Sequence, residues 1–114
     1  MVIDKDRLRE MLDKFTVEMR GIFKENLVQV ILYGSYASGR QDDGSDVDIM
    51  VLVDLDKVTI KEYREKVIET ICDLGMEYDI LISPIIQNRN EFEKFKDASG
   101  FFKNVDKQGV KLSA

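Results

Sequence analysis

Residues 32–51 read LYGSYASGRQDDGSDVDIMV, and the way this stretch breaks and restarts decides the architecture around it. The preceding run, residues 28–33, is β-branched and aromatic and has the composition of a buried strand. It stops at Gly34-Ser35, where glycine permits a sharp turn and lets a ligand approach without a Cβ in the way. A helical turn over residues 36–39 would point free N–H groups at that corner, and the Ser35 hydroxyl would add a donor for phosphate oxygens. Taken alone, the pair is also an ordinary strand-to-helix turn with Ser35 as its cap.

A second strand opens at Asp46-Val47-Asp48 and runs to about Val53. Residues two apart on a strand share a face, so both carboxylates point one way and Val47 and Ile49 the other. Two like charges held that close repel, and ionising both in a partly buried place is costly without a cation. Magnesium suits the case, since it takes one or two carboxylates and fills its other positions with water and phosphate oxygens. An isolated pair of this kind is equally a solvated strand entrance beside Asp42 and Asp43.

Outward from this stretch, apolar residues recur at helical spacing over residues 4–24, with Asp4 as N-cap. Thr59 and Glu62 stand at capping-box spacing before a helix that shows Tyr63, Val67, Ile68, Ile71 and Leu74 on one face and ends at Gly75. A third strand is expected from about Met76 to Ile86, with Pro84 placing its far end at an edge or off the ladder. This strand carries Asp79 among apolar neighbours, where an unpaired carboxylate must reach water, a basic partner or a metal. Beside the Asp46 strand it would join the same face. Asn90 with Glu93 marks a short helix bearing Phe92 and Phe95, and Phe101, Phe102 and Val105 a last one ending near Gly109. The order is that of a single α/β layer structure.

Composition narrows the chemistry. The chain of 114 residues, 44% hydrophobic and 34% charged, suits one soluble globular domain. No apolar run approaches the roughly 20 residues that span a bilayer, and the charged start lacks a signal-peptide core, so the cytoplasm is expected. With no histidine, Ser-His-Asp and Cys-His catalysis are excluded, and any metal must be hard and held by oxygen. The single cysteine, Cys72, is read as a buried structural thiol. A net charge of −5 argues against general binding to nucleic acid.

The combination is more specific than its parts. Gly34-Ser35, ten residues, Asp46-Val47-Asp48, then an acid on a third strand resembles the nucleotidyltransferase superfamily that includes DNA polymerase beta. LYGSYASG and SDVDIMVLV, with Ser45 before the first Asp, are similar to the signature of its minimal nucleotidyltransferase (MNT) domains. The likeness continues to FFKNVDKQGVKL. It implies a single α/β (α+β) domain over residues 1–114, a small mixed sheet flanked by helices. Gly34 and Ser35 would hold nucleotide phosphates. Asp46 and Asp48 would bind magnesium in a two-ion site, with Asp79 the third catalytic and metal-binding carboxylate. Many members carry Arg or Lys where this chain has Ser38, and Arg40 comes only after the glycine, as a phosphate contact or as a solvated loop residue.

The implied reaction moves a nucleoside monophosphate, AMP from ATP, to a hydroxyl with release of pyrophosphate. The chain leaves no room for an acceptor-binding lobe, so the acceptor site is expected from a partner or an oligomer. Minimal domains of this family are paired with HEPN-domain proteins in toxin–antitoxin modules, where the antitoxin adenylylates a tyrosine of the toxin. That is the leading expectation. Two others stay open: a non-catalytic nucleotide-binding module that neutralises a HEPN partner by contact, and one subunit of a small-molecule nucleotidyltransferase. An exposed apolar surface for the partner is expected on the helical layers, away from the metal cleft.

Overall fold

The computed structural model describes residues 3–112. Helix α1 (Lys5–Phe23) is capped by Asp4, which accepts the Arg7 N–H at 2.8 Å and so satisfies one free donor of the first turn. Its spacing of apolar residues puts Met11, Leu12, Phe15, Met19 and Phe23 on one stripe, all buried. Then come strand β1 (Leu27–Tyr33), a single turn α2 (Ser35–Ser38) and strand β2 (Val47–Val53). Helices α3 (Lys57–Glu62) and α4 (Arg64–Tyr78) lead to β3 (Ile82–Asn88), and α5 (Arg89–Phe95) and α6 (Gly100–Gln108) to a short β4 (Val110–Leu112).

The sheet is mixed, with order β3-β2-β1-β4. Strands β1 and β2 pair antiparallel and bring Tyr33 opposite Asp48. The crossover through α3 and α4 returns β3 parallel to β2, with Ser83 beside Asp48. Strand alternation divides the core into two layers. Val30, Leu32, Val47, Ile49, Val51 and Val53 pack with the buried faces of α1 and α4. Ile31, Met50 and Leu52 point the other way, onto Phe92 of α5 and Val105 of α6. Each such large aliphatic side chain contributes about 1.5–3 kcal/mol by burial. Asp48 has the parity of Met50 and Leu52, so it lies on the α5–α6 side. No described helix is long and apolar enough to cross a membrane.

Several elements depart from the expectation. The cap before the second helical segment is Asp56, which accepts the Thr59 N–H at 2.7 Å, and the segment breaks at Tyr63 into α3 and α4. Gly75 does not end the helix. Helix α4 runs on to Tyr78, whose buried side chain anchors the last turn, and Asp79 takes the left-handed capping conformation (φ 52°, ψ 53°). Short Asp side chains tolerate that region better than most. Gly75 serves instead as a close-approach point: a Cβ there would stand 2.8 Å from the Ile80 carbonyl oxygen. The third strand therefore starts at Ile82, and Asp79 is not on it. Pro84 lies at the sheet's edge, as expected, and stays within the ladder opposite Ile49 because β3 is an edge strand.

Cys72 is exposed rather than buried, because the buried stripe of α4 is Val67, Thr70, Leu74 and Tyr78. Ile68 falls off the same stripe and is 45% exposed. The cap of α5 is Asn88, which accepts the Glu91 N–H at 2.8 Å, in place of Asn90. Strand β4, unanticipated, pairs with β1 through Ile31 and Lys111.

Candidate active site

The site is assembled where β1 ends and β2 begins. Gly34 leaves β1 at φ 77° and ψ −154°, a region open essentially to glycine alone. A Cβ at that position would collide with the Asp48 carboxylate, lying 3.2 Å from its Cγ. The glycine is thus required twice, by its backbone angles and by the acid packed against it. The turn that follows uses most of its own amides. Ala37 and Ser38 N–H both donate to the Gly34 carbonyl at 3.1 Å, and the Gly39 and Arg40 N–H groups donate to Ser35 O. So the anticipated row of free N–H groups over residues 36–39 is mostly spent within the turn. The Ser35 hydroxyl keeps no protein partner among the described residues and remains a donor for an oxyanion.

The loop into β2 is built by a local hydrogen-bond cluster. The Asp42 carboxylate accepts the Gly44 N–H at 2.9 Å, the Ser45 hydroxyl accepts the Asp42 N–H at 2.9 Å, and Ser45 N–H donates to the Asp42 carbonyl. This Asx-type turn aims the chain at the sheet and sets Asp46 just before the strand. Asp46 then accepts a hydrogen bond from the Ser83 hydroxyl at 3.2 Å, across the parallel β2–β3 pair.

Asp46 lies just before β2 instead of within it, yet near enough to Asp48 for the two charges to interact. Burial raises the Asp48 carboxyl above its ordinary range, and the neighbouring Asp46 charge raises it further. Tyr33, opposite Asp48, is raised in turn, first by burial and then by the Asp48 charge. The Tyr36 hydroxyl, beneath the corner, is raised by burial and by Asp42, Asp43 and Asp46. A half-buried carboxylate pair with no cationic partner among the described residues, but with a hydroxyl orienting one member, is a donor set that fits a hard divalent ion. Asp46 and Asp48 would hold it.

Asp79 is placed differently from the expectation. It is exposed at the end of α4, and it lines the same cavity as Asp46, of about 570 Å³, together with Ile71, Met76, Ile80 and Leu81. No three His, Cys, Asp or Glu side chains are grouped closely enough to hold a metal among the described residues. The position on the neighbouring strand that faces the acid pair belongs to Ser83, because β3 begins only after Asp79. Sequence reading missed Ser83; its signal was strand parity combined with a register that no local pattern specifies. Arg40 is exposed on the other side of Gly34, at a second cavity of about 410 Å³, and has no ion-pair partner among the described residues.

A fold that gathers two carboxylates at a glycine-serine corner defines a protein class, the nucleotidyltransferases. Residues 13–108 match the nucleotidyltransferase domain family, and the chain belongs to it, as an enzyme of the minimal type. Two similar proteins of Methanocaldococcus jannaschii are named "Putative protein adenylyltransferase" MJ0141 and MJ0604. The first is 41% identical over 103 residues, which cover 90% of this chain and 96% of that protein. The second is 28% identical over 98 residues, covering 86% and 90%. The fold is also that of a mutant toxin–antitoxin MntA-HpeT structure (TM-score 0.54, 22% identity, 87% of this chain and 70% of that one). A toxin–antitoxin structure with AMP-PNP gives a TM-score of 0.53 at 23% identity, covering 88% and 71%.

Proposed function

We propose that this chain is a magnesium-dependent protein adenylyltransferase of antitoxin type, which moves AMP from ATP to a tyrosine hydroxyl of a HEPN-type toxin. The observation that carries the reading is the contact of Gly34 with Asp48, which joins a phosphate-binding corner to a cation-binding pair. The names of the similar proteins support transfer to a protein acceptor, and the toxin–antitoxin neighbours supply the kind of partner. When bound, magnesium would neutralise the phosphate oxygens and the acid pair together. Ser35 holds the triphosphate, with Arg40 reaching it from the cavity beside Gly34. The acceptor oxygen forms a bond to the α-phosphorus, and the bond from that phosphorus to the bridging oxygen breaks, releasing pyrophosphate. Asp79 takes the acceptor proton, from its place on the Asp46 cavity.

That cavity gives the acceptor an apolar wall. Met76 and Leu81 are 83% and 72% exposed beside it, so part of the exposed apolar surface adjoins the cleft, while Val17, Val58 and Phe95 are exposed on helices away from it. A tyrosine entering with its parent protein would cover both. Orientation of the acceptor is a large part of the barrier reduction in such transfers, and a partner that docks here supplies it. One observation favours contact-only neutralisation as a second reading, namely that among the described residues the acids form a pair and no triad. The deciding experiment mixes the chain with α-labelled ATP, magnesium and a HEPN-type toxin. Label on a toxin tyrosine, lost with Asp46→Asn, is the expected result. Neutralisation without label supports the second reading, and neither effect overturns both.

A further inference from the structure

The second cavity, on the far side of Gly34 from the acceptor wall, has a lining of a different chemistry. One side is the corner itself, with Gly34, Ser38 and Arg40; the other is helix α6, with Phe101, Asn104 and Gln108. These three helical residues are spaced three and four apart, so they form one stripe along α6. Val105 beside the stripe is buried and fixes the helix on the sheet through Ile31, Met50 and Leu52. The stripe is therefore held rigidly at the cavity. Phe101 meets Tyr33 edge-on, with centroids 5.5 Å apart at 79°, yet remains 45% exposed. Asn104 and Gln108 are exposed and their amides have no partner among the described residues.

We infer that this stripe is the nucleobase subsite and that it selects adenine. The inference rests on the nucleotidyltransferase reading, which puts the phosphates at Gly34 and Ser35 and so directs the nucleoside into one of the two adjoining cavities. The Asp46 cavity is lined by three carboxylates, Ser45, Cys72, Met76 and aliphatic side chains and offers neither an aromatic ring with an open face nor a side-chain amide. Tyr36, the one ring it contains, is buried. The α6 cavity offers both. An exposed phenylalanine supplies a stacking face for any base. A side-chain amide presents a donor and an acceptor together, which matches the N6 amine and N7 of adenine; guanine shows two acceptors on that edge. Volume agrees as well, since about 410 Å³ lies in the range of small-ligand sites.

The test measures binding of ATP, GTP and tripolyphosphate, each with magnesium, to the full chain by calorimetry. Wild type is expected to prefer ATP to GTP by about tenfold or more. Phe101→Ala should weaken ATP about tenfold, and Phe101→Trp should restore it. The double variant Asn104→Leu with Gln108→Leu should bring the ATP-to-GTP ratio close to unity. Tripolyphosphate, which has no base, should bind all variants as it binds wild type, and this excludes misfolding as the cause. A preference that survives the double variant overturns the subsite, as does a Phe101→Ala loss shared equally by tripolyphosphate. If wild type binds tripolyphosphate but does not distinguish ATP from GTP, the subsite alone fails. If it binds none of the three, the adenylyltransferase reading fails with it.

Discussion

The carboxylate of Asp48 fills the space that a side chain on Gly34 would need. Strand β2 can bring its acid to the Gly34 corner only because β1 is followed by a residue without a Cβ. Gly34→Ala is therefore expected to lower stability by about 1–3 kcal/mol, from the strained backbone angles together with the collision. Urea unfolding checks the loss. An alanine variant of unchanged stability would mean that the corner is not built as described.

Replacing Asp48 with Asn should have opposite effects on binding and on folding. The like charge of Asp46 and partial burial both disfavour ionised Asp48, so the neutral amide should raise metal-free stability slightly, on the order of 0.5 kcal/mol. Manganese binding, followed by electron paramagnetic resonance, should fall at least tenfold in the same variant. A destabilised variant that keeps its manganese would contradict both expectations.

Ser83 orients Asp46 from the neighbouring strand, although nothing in its own segment marks it. Ser83→Ala removes that donor without leaving a large void. Manganese affinity is expected to fall about tenfold, as is usual for partners that orient a metal-binding group. Ser83→Asp should raise it, by adding a third carboxylate where β3 faces the pair. Identical affinities in all three proteins would show the hydroxyl to be a bystander.

Substitution can separate the place of Asp79 at the end of α4 from its proposed role as the acceptor's base. Asparagine tolerates the left-handed conformation, so Asp79→Asn should fold normally, bind ATP as before and turn over far more slowly. Asp79→Ala should lose turnover too and also about 1 kcal/mol of stability at the cap. Unimpaired labelling of the acceptor by Asp79→Asn would remove it from the chemistry.

Met76 and Leu81 should matter only when the partner is present. Changing both to Asp introduces charge at exposed positions, so thermal stability should shift little. Co-sedimentation with the HEPN protein should be lost while ATP binding persists. Persistence of the complex would place the interface elsewhere.

The carboxyl-terminal aromatics show where local pattern stops informing. Phe92 and Val105 are core residues, and Phe102 packs partly against them, but Phe95 and Phe101 remain 45% exposed. All five look alike in the sequence. Which of them a helix buries depends on how that helix lies across the sheet, and short helices leave that angle to tertiary packing.

What could be read from the chain alone was whatever depends on near neighbours. The Asp4 cap, the apolar stripe of α1, the closeness of Asp46 and Asp48 and the glycine corner follow from spacings of a few residues. These spacings were enough to suggest the family. Tertiary structure decided the rest. Asp79 left the strand because buried Tyr78 holds the last turn of α4, so the helix outlasts its glycine. Ser83 came to Asp46 because the β2–β3 register is set across a crossover of two helices. Phe101, Asn104 and Gln108 met Gly34 because Val105 anchors α6 on the opposite layer. Registers and docking angles are settled by how distant side chains fill a common core, and no short window of sequence contains that information.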